Sequence, residues 1–111
     1  MGLTLAARCA GCGYSEDLLQ LGATHAEIAQ HDVCTREVYV VPCCTRLASV
    51  LIFMGQPLPE DLPCPHCAAT LDLGACSRVA ISRLSGVQLE GHACPRCAAP
   101  ELAFAERGRV V

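Results

Sequence analysis

The sequence predicts a small, metal-stabilised, mainly β protein built from two halves joined by a Pro-rich linker. Three observations carry that expectation. Ten of the 111 residues are Cys, most of them in short pairs. Trp is absent and there are only two Phe and two Tyr, so the core is thin and needs a staple such as disulfides or a metal. The apolar segments are short and alternating, and none keeps a long helical period.

The choice of staple follows from compartment. The N-terminus MGLTLAARCAGC lacks an apolar stretch followed by a small-residue cleavage site. The longest apolar run, Leu47 to Met54, is far short of the ~20 residues that span a bilayer. The chain is therefore expected to be cytoplasmic, where Cys clusters more often bind metal or catalyse than form structural disulfides. All eight basic residues are Arg, and the formal net charge is −3. Eight thiolates and two divalent cations would add about four further negative charges. Such a balance lacks the basic footprint of a nucleic-acid binder.

Along the chain, Cys9-Ala-Gly-Cys12 opens the first half and VVPCC ends at Cys44. The stretch GQPLPEDLP, Gly55 to Pro63, reads as the linker, giving halves 1–56 and 57–111. Thr24 and Glu27 have capping-box spacing, so THAEIAQH is read as one or two helical turns or an exposed loop. Arg36 to Val41 alternates and is β-branched, a strand, with Leu47 to Phe53 as the returning strand. In the second half, Ser77 to Leu84 and Val87 to Ala93 flank Ser85-Gly86 as a hairpin, and Glu101 to Glu106 closes the sheet.

Cys64-Pro-His-Cys67 and Cys94-Pro-Arg-Cys97 are separated by 26 residues. Two residues between Cys let a tight turn point both sulfurs to one side, and two such turns make a tetrahedral cage with Zn–S at about 2.3 Å. These four are the expected second-half site. Gly usually follows the second Cys of such a turn; Ala68 and Ala98 stand there and imply a slightly different turn exit. In the first half, Cys9 and Cys12 make one turn, with Gly13 where a positive φ is often needed. Their partner is less regular. On the C-P-x-C frame Val41 takes the first ligand position and Cys44 the second, and adjacent Cys side chains generally diverge. Two ligand sets remain open: Cys9, Cys12, Cys43 and Cys44, or Cys9, Cys12 and Cys44 with Cys34. His31 is a further candidate for the fourth place, and a site without metal is the third reading.

Other residues have plainer readings. Cys76 is a small buried hydrophobe, His66 faces solvent within its turn, and His92 is an ordinary strand residue. His25 and His31 are six apart and share no helix face. Asp17, Glu60 and Asp61 are solvated. Phosphate loops, nucleophile elbows and paired catalytic carboxylates are absent from the sequence.

The pattern CAGCGY…CC…CPHC…CPRC resembles tandem zinc ribbons of the rubredoxin-knuckle type found in small prokaryotic proteins. The resemblance implies ligands at Cys9, Cys12, Cys64, Cys67, Cys94 and Cys97, and a non-catalytic metal. Zinc is expected at two ions per chain, with iron as the alternative. The leading function is a non-enzymatic zinc-binding adaptor acting through protein–protein contacts, with a homo-oligomer as one form of partner. The alternatives are a rubredoxin-like electron carrier, and a nucleic-acid-associated zinc ribbon using Arg78, Arg83 and Arg96. A thiol oxidoreductase centred on Cys64 and Cys67 needs a helix after the motif, and none is predicted.

Overall fold

The computed structural model describes residues 2–31, 34–79 and 89–110. Its strands are β1 (Gly2–Cys9), β2 (Ser15–Leu21), β3 (Cys34–Val41), β4 (Arg46–Phe53), β5 (Leu62–Pro63), β6 (Thr70–Leu71), β7 (Ser77–Arg78) and β8 (Leu102–Val110). One helix, α1 (His25–His31), lies between β2 and β3, and a 3-10 turn spans Leu73–Ala75. Three antiparallel sheets result, in the orders β2-β1-β8, β4-β3-β7 and β5-β6.

Pairing crosses the expected boundary between 1–56 and 57–111. β1 lies along the whole of β8, from Gly2↔Val110 to Cys9↔Leu102. β3 takes β7 as its second neighbour through Tyr39↔Arg78 and Val40↔Ser77. The closing strand therefore completes the N-terminal sheet, and among the described residues two ladders join the halves. Within Gly55–Pro63, Leu62 and Pro63 form β5, which leads into the Cys64 turn, and the Pro59 carbonyl accepts the Leu73 N–H at 2.9 Å. The hairpin expected at Ser85-Gly86 lies outside the described residues.

Alternation along β3 explains how two small cores form around one strand. Val38 faces a cluster with Leu5, Ala7, Leu19, Leu47, Leu102 and Phe104. Tyr39 and Val41 face the other way, onto Ala48, Val50, Cys64, Leu71 and Leu73. A strand's side chains point alternately to its two faces, so β3 serves both cores and joins them. Leu5, Leu47, Leu73 and Leu102 are fully buried, each stabilising by roughly 1.5–3 kcal/mol relative to exposure. The segment Leu47 to Met54 divides accordingly: Leu47, Ala48 and Val50 are core, while Phe53 and Met54 are exposed.

The capping box forms as its spacing implies. The Glu27 N–H donates to Thr24 Oγ1 at 3.1 Å, and the Thr24 N–H donates to Glu27 Oε1 at 2.9 Å. Arg36 adds an ion pair to Glu27 at 2.6 Å, tying α1 to β3. Burial alone would raise the Glu27 carboxyl. The Thr24 N–H, Arg36 and Gln20 outweigh it and hold the group at about 2, against 4.5 ordinarily. A carboxylate with a lowered folded-state pKa stabilises above its unfolded value and loses that contribution as pH falls. Stability is therefore expected to drop between pH 4.5 and about 2 by an amount on the order of 2–3 kcal/mol. In Glu27→Gln this part of the acid limb should be absent in pH-dependent urea melts; an unchanged limb would remove the assignment.

Candidate metal centres

Eight cysteine sulfurs gather into two groups. Cys9, Cys12, Cys94 and Cys97 form one, and Cys43, Cys44, Cys64 and Cys67 the other, with all sulfurs of a group within 4.8 Å of one another. The first is called the outer group and the second the inner, because in sequence the second is nested within the first. This corrects the expected pairing: the turns at Cys64 and Cys94 do not face each other. The β1–β8 ladder sets Cys9 beside Leu102, and the Ala10 N–H reaches the Glu101 carbonyl at 3.3 Å. The Cys9 turn thus meets the turn that precedes β8. The hairpin of β3 and β4 carries Cys43 and Cys44 to the turn between β5 and β6.

The three CxxC turns share one backbone frame. In each, the first Cys N–H bonds the carbonyl five residues on: Cys9 to Tyr14 at 2.8 Å, Cys64 to Ala69 at 2.8 Å and Cys94 to Ala99 at 3.0 Å. The N–H four residues on returns to the first Cys carbonyl, from Gly13, Ala68 and Ala98, at 2.9–3.0 Å. That fourth position is left-handed in all three, with φ of 79°, 64° and 61°. Ala68 and Ala98 therefore keep the turn exit that Gly13 makes and bear its steric cost. Ala in this region is disfavoured by roughly 1 kcal/mol relative to Gly. Both side chains are exposed, so Ala68→Gly and Ala98→Gly are each expected to raise stability by about 0.5–1 kcal/mol. Denaturant midpoints check this, and a fall in either midpoint would contradict it.

The turn at Pro42 to Thr45 keeps part of this frame with one ligand displaced. Val41 and Arg46 pair as positions one and six, and Thr45 takes the left-handed place with φ 49°. Val41 fills the first-Cys position and is fully buried in the second core. Cys44 keeps the second-Cys position, and Cys43 supplies the missing sulfur from two residues further along. Divergence of the adjacent pair does not prevent this, since their sulfurs lie 4.0 Å apart. The reading that used Cys34 is not what the chain adopts, and the side chain of His31 lies outside the described residues. Cys34 is buried opposite Phe53 and is in neither group. Cys76 is also outside, half-buried, its sulfur 3.5 Å from the Asp72 carbonyl oxygen; burial pushes its thiol up.

The donor sets fit a tetrahedral cation. Four sulfurs at 2.3 Å from a centre stand about 3.8 Å apart. The nearest pairs are Cys9–Cys97 and Cys12–Cys94 at 3.6 Å in the outer group. In the inner group they are Cys67–Cys43 at 3.4 Å and Cys44–Cys64 at 3.9 Å. Electrostatics agree. Burial alone would raise Cys64 and Cys94, but N–H groups of their own turns hold them down at about 6 and 7. Neighbouring thiols push Cys43 up to about 12, with Cys67 the largest cause. At Cys97 the Ala99 N–H favours the thiolate, yet burial and the surrounding thiols still raise it to about 12. Four such thiols ionise together only around a cation.

A buried polar network connects the two groups, and sequence reasoning did not find it. Glu16, the buried acid of β2, takes Arg46 in a two-pronged pair at 2.6 and 3.2 Å. Tyr14 donates its hydroxyl to Glu16 at 3.2 Å and accepts the Leu47 N–H at 2.8 Å. His66, expected in solvent, instead lies half-buried with Nε2 2.9 Å from the Leu47 carbonyl and 3.6 Å from Glu16. The Arg96 guanidinium lies 5.1 Å from the Tyr14 ring centre. Residues from both groups' turns thus meet at Tyr14 and Glu16. The available signal was weak: an acid in a strand position whose neighbours in the alternation are apolar. His92 pairs with Leu102 and meets the Phe104 ring edge-on at 5.0 Å.

Fold and site together define a small, mainly β protein with two tetra-cysteine groups, each able to hold a metal ion. Compared with known proteins, the chain matches no family model, no curated protein and no solved structure. Among the described residues, no helix is long and apolar enough to cross a membrane.

Proposed function

We propose that the chain is a non-enzymatic adaptor of the zinc-ribbon type, holding two structural zinc ions and acting through protein contacts. The observation that supports this reading is the closure of both groups. Four sulfurs around one cation fill a tetrahedral shell and leave no position for water or substrate. A metal held in this way organises backbone and does no chemistry on a bound molecule. The contact surface is the exposed apolar run at the end of β4, where Phe53, Met54 and Leu58 stand in solvent.

The arrangement of Arg residues argues against nucleic acid. Arg8, Arg36, Arg46 and Arg78 each face a carboxylate within 4.0 Å, and Arg96 stacks on Tyr14. Of the expected trio, Arg78 and Arg96 are engaged and Arg83 lies outside the described residues.

Elemental analysis of protein purified without added metal is the first test. Two zinc per chain in a colourless solution is the expected result; a red protein with iron would favour electron transfer. The adaptor role is tested by affinity purification from the source cell, comparing the native chain with Phe53→Glu/Met54→Glu. A partner held by the native chain and lost from the metal-loaded variant supports the role. Identical capture by both removes this surface from it.

A further inference from the structure

One edge of the second sheet is open, and the bonds on the far side of β3 fix its register. The Val38 carbonyl accepts the Val79 N–H and the Arg36 carbonyl the Gly22 N–H, both at 2.8 Å. Val79 follows β7, which lies across β3 from β4, and Arg36, two residues from Val38, points the same way. Val38↔Ser49 and Arg36↔Leu51 are therefore non-hydrogen-bonded pairs of the β3–β4 ladder. Their β4 members, Ser49 and Leu51, aim backbone N–H and C=O out from the sheet edge, as Leu47 does. At Leu47 those groups are taken: the N–H by the Tyr14 hydroxyl at 2.8 Å, the carbonyl by His66 Nε2 at 2.9 Å. Among the described residues nothing takes the outward groups of Ser49 and Leu51. Such an edge is a template for a further strand.

Space for that strand lies along the edge. A cavity of about 220 Å³ is lined by Ser49, Val50 and Leu51 on one side and by Leu62, Pro63 and Pro65 on the other. Consecutive strand residues face opposite sides of a sheet, so a cavity lined by all three opens at the edge of β4 and not over one face. A second cavity of about 230 Å³ continues towards Leu47 and His66 and shares Arg36, Ser49 and Pro65 with the first. The opposite wall does not compete for the edge. Pro63 and Pro65 have no N–H, and the Cys64 N–H is spent on the Ala69 carbonyl at 2.8 Å. Leu18 borders the second cavity. There Asp17 and Leu18 of β2 stand against Ala6 alone in β1. This bulge holds Leu18 at φ 61° and 84% exposed, and bulges often re-aim a side chain beside a functional site.

The charges along both cavities are already balanced. Glu16 is paired with Arg46, Arg36 with Glu27 and Asp17 with Arg8. The site therefore suits an uncharged occupant that brings backbone donors and acceptors at strand spacing. We propose that the β4 edge from Ser49 to Leu51 is a strand-addition site for an extended, apolar peptide segment of a partner protein. This rests on the reading of the chain as an adaptor and names how it takes its partner. The added strand pairs with Ser49 and Leu51 and sends alternate side chains towards Leu18 on one face and Leu62 on the other. It leads on to the exposed Phe53 and Met54.

The test pans a phage-displayed library of random heptapeptides against the immobilised, metal-loaded native chain. Sequences with alternating apolar residues are expected to be enriched. A synthetic copy of an enriched peptide is then N-methylated at alternate residues, in each of the two frames. One frame should weaken binding by roughly tenfold or more and the other leave it nearly unchanged, because only every second residue turns its backbone to β4. Equal effects of the two frames overturn the proposal. On the chain, Leu51→Pro removes an outward N–H that the ladder does not use, so the sheet is retained. It is expected to lose the peptide, whereas Leu51→Val keeps it. The frame comparison needs no variant, so it decides even where Leu51→Pro fails to hold metal. No enrichment, or equal enrichment on the native chain and a metal-loaded Leu51→Pro, also overturns strand addition. So does a native dimer in ultracentrifugation that Leu51→Pro converts to monomer, since a second copy then fills the edge. In affinity purification from the source cell, a partner lost from Phe53→Glu/Met54→Glu but kept by Leu51→Pro would sink strand addition and leave the adaptor reading standing.

Discussion

Removal of both ions by a high-affinity chelator is expected to unfold the chain outright at 25 °C. Small domains of this kind gain an apparent ~10–16 kcal/mol from each structural zinc, whereas whole domains are typically stable by only about 5–15 kcal/mol. The remaining supports are small. Each core cluster rests on a few aliphatic residues and at most two aromatics, and three of the strands are two residues long. The cage also costs free energy when empty, because each group then holds several thiols within 3.4–4.0 Å of one another. Far-ultraviolet circular dichroism and one-dimensional NMR during chelation provide the measurement. Strand signal and dispersed methyl resonances should vanish together and return on adding zinc. A chain that stays dispersed and melts at its original temperature without metal would show that the two cores suffice.

The second large effect is an asymmetry between the two groups. Cys94→Ser is expected to release the outer ion and leave the inner one bound. Cys64→Ser is expected to release the inner ion and weaken the outer by roughly tenfold or more. The reason is nesting. Cys44 and Cys64 are separated by 19 residues, Cys12 and Cys94 by 81. Closing the longer loop costs about 1.3 kcal/mol more in chain entropy, a difference the folded inner segment largely removes by drawing the ends together. The inner segment also supplies Val38 and Leu47 to the outer core, so its unfolding strips packing from the outer group as well. The buried residues of the second core, by contrast, all fall between 39 and 73. Competition with a metal indicator of known affinity, read separately for each variant, gives the comparison. Equal weakening in both directions would mean that the Tyr14–Glu16 network, not loop closure, governs the coupling.

The same nesting explains what was and was not readable. Residue type and spacing select the six cysteines of the three CxxC turns, because a two-residue separation forms the same tight turn wherever it occurs; they left the choice between Cys43 and Cys34 open. Short-range chemistry was legible in part, since the capping-box spacing was visible while helix and loop both remained open for THAEIAQH. Thr24 and Glu27 cap α1 across three residues, and the alternation of Arg36 to Val41 becomes β3. Both depend only on neighbours in the chain. Which turn faces which was not legible. Cys64-Pro-His-Cys67 and Cys94-Pro-Arg-Cys97 look like partners because they are similar and close in sequence, but a ladder between β1 and β8 decides the matter. β1, with its run Leu5-Ala6-Ala7, carries no strong strand signal by itself; pairing on both edges makes it a strand.

Local properties of a few residues suffice to mark this protein as a small cysteine-rich β structure and to pick out its three CxxC turns. That the first turn closes on the last and the second on the third emerges from the assembled strands. So does the exchange by which Val41 fills a core while Cys43 takes its place beside the other sulfurs. Those outcomes depend on strand pairing across nearly the full chain and on the space left inside a core, and neither is written in any short stretch of residues.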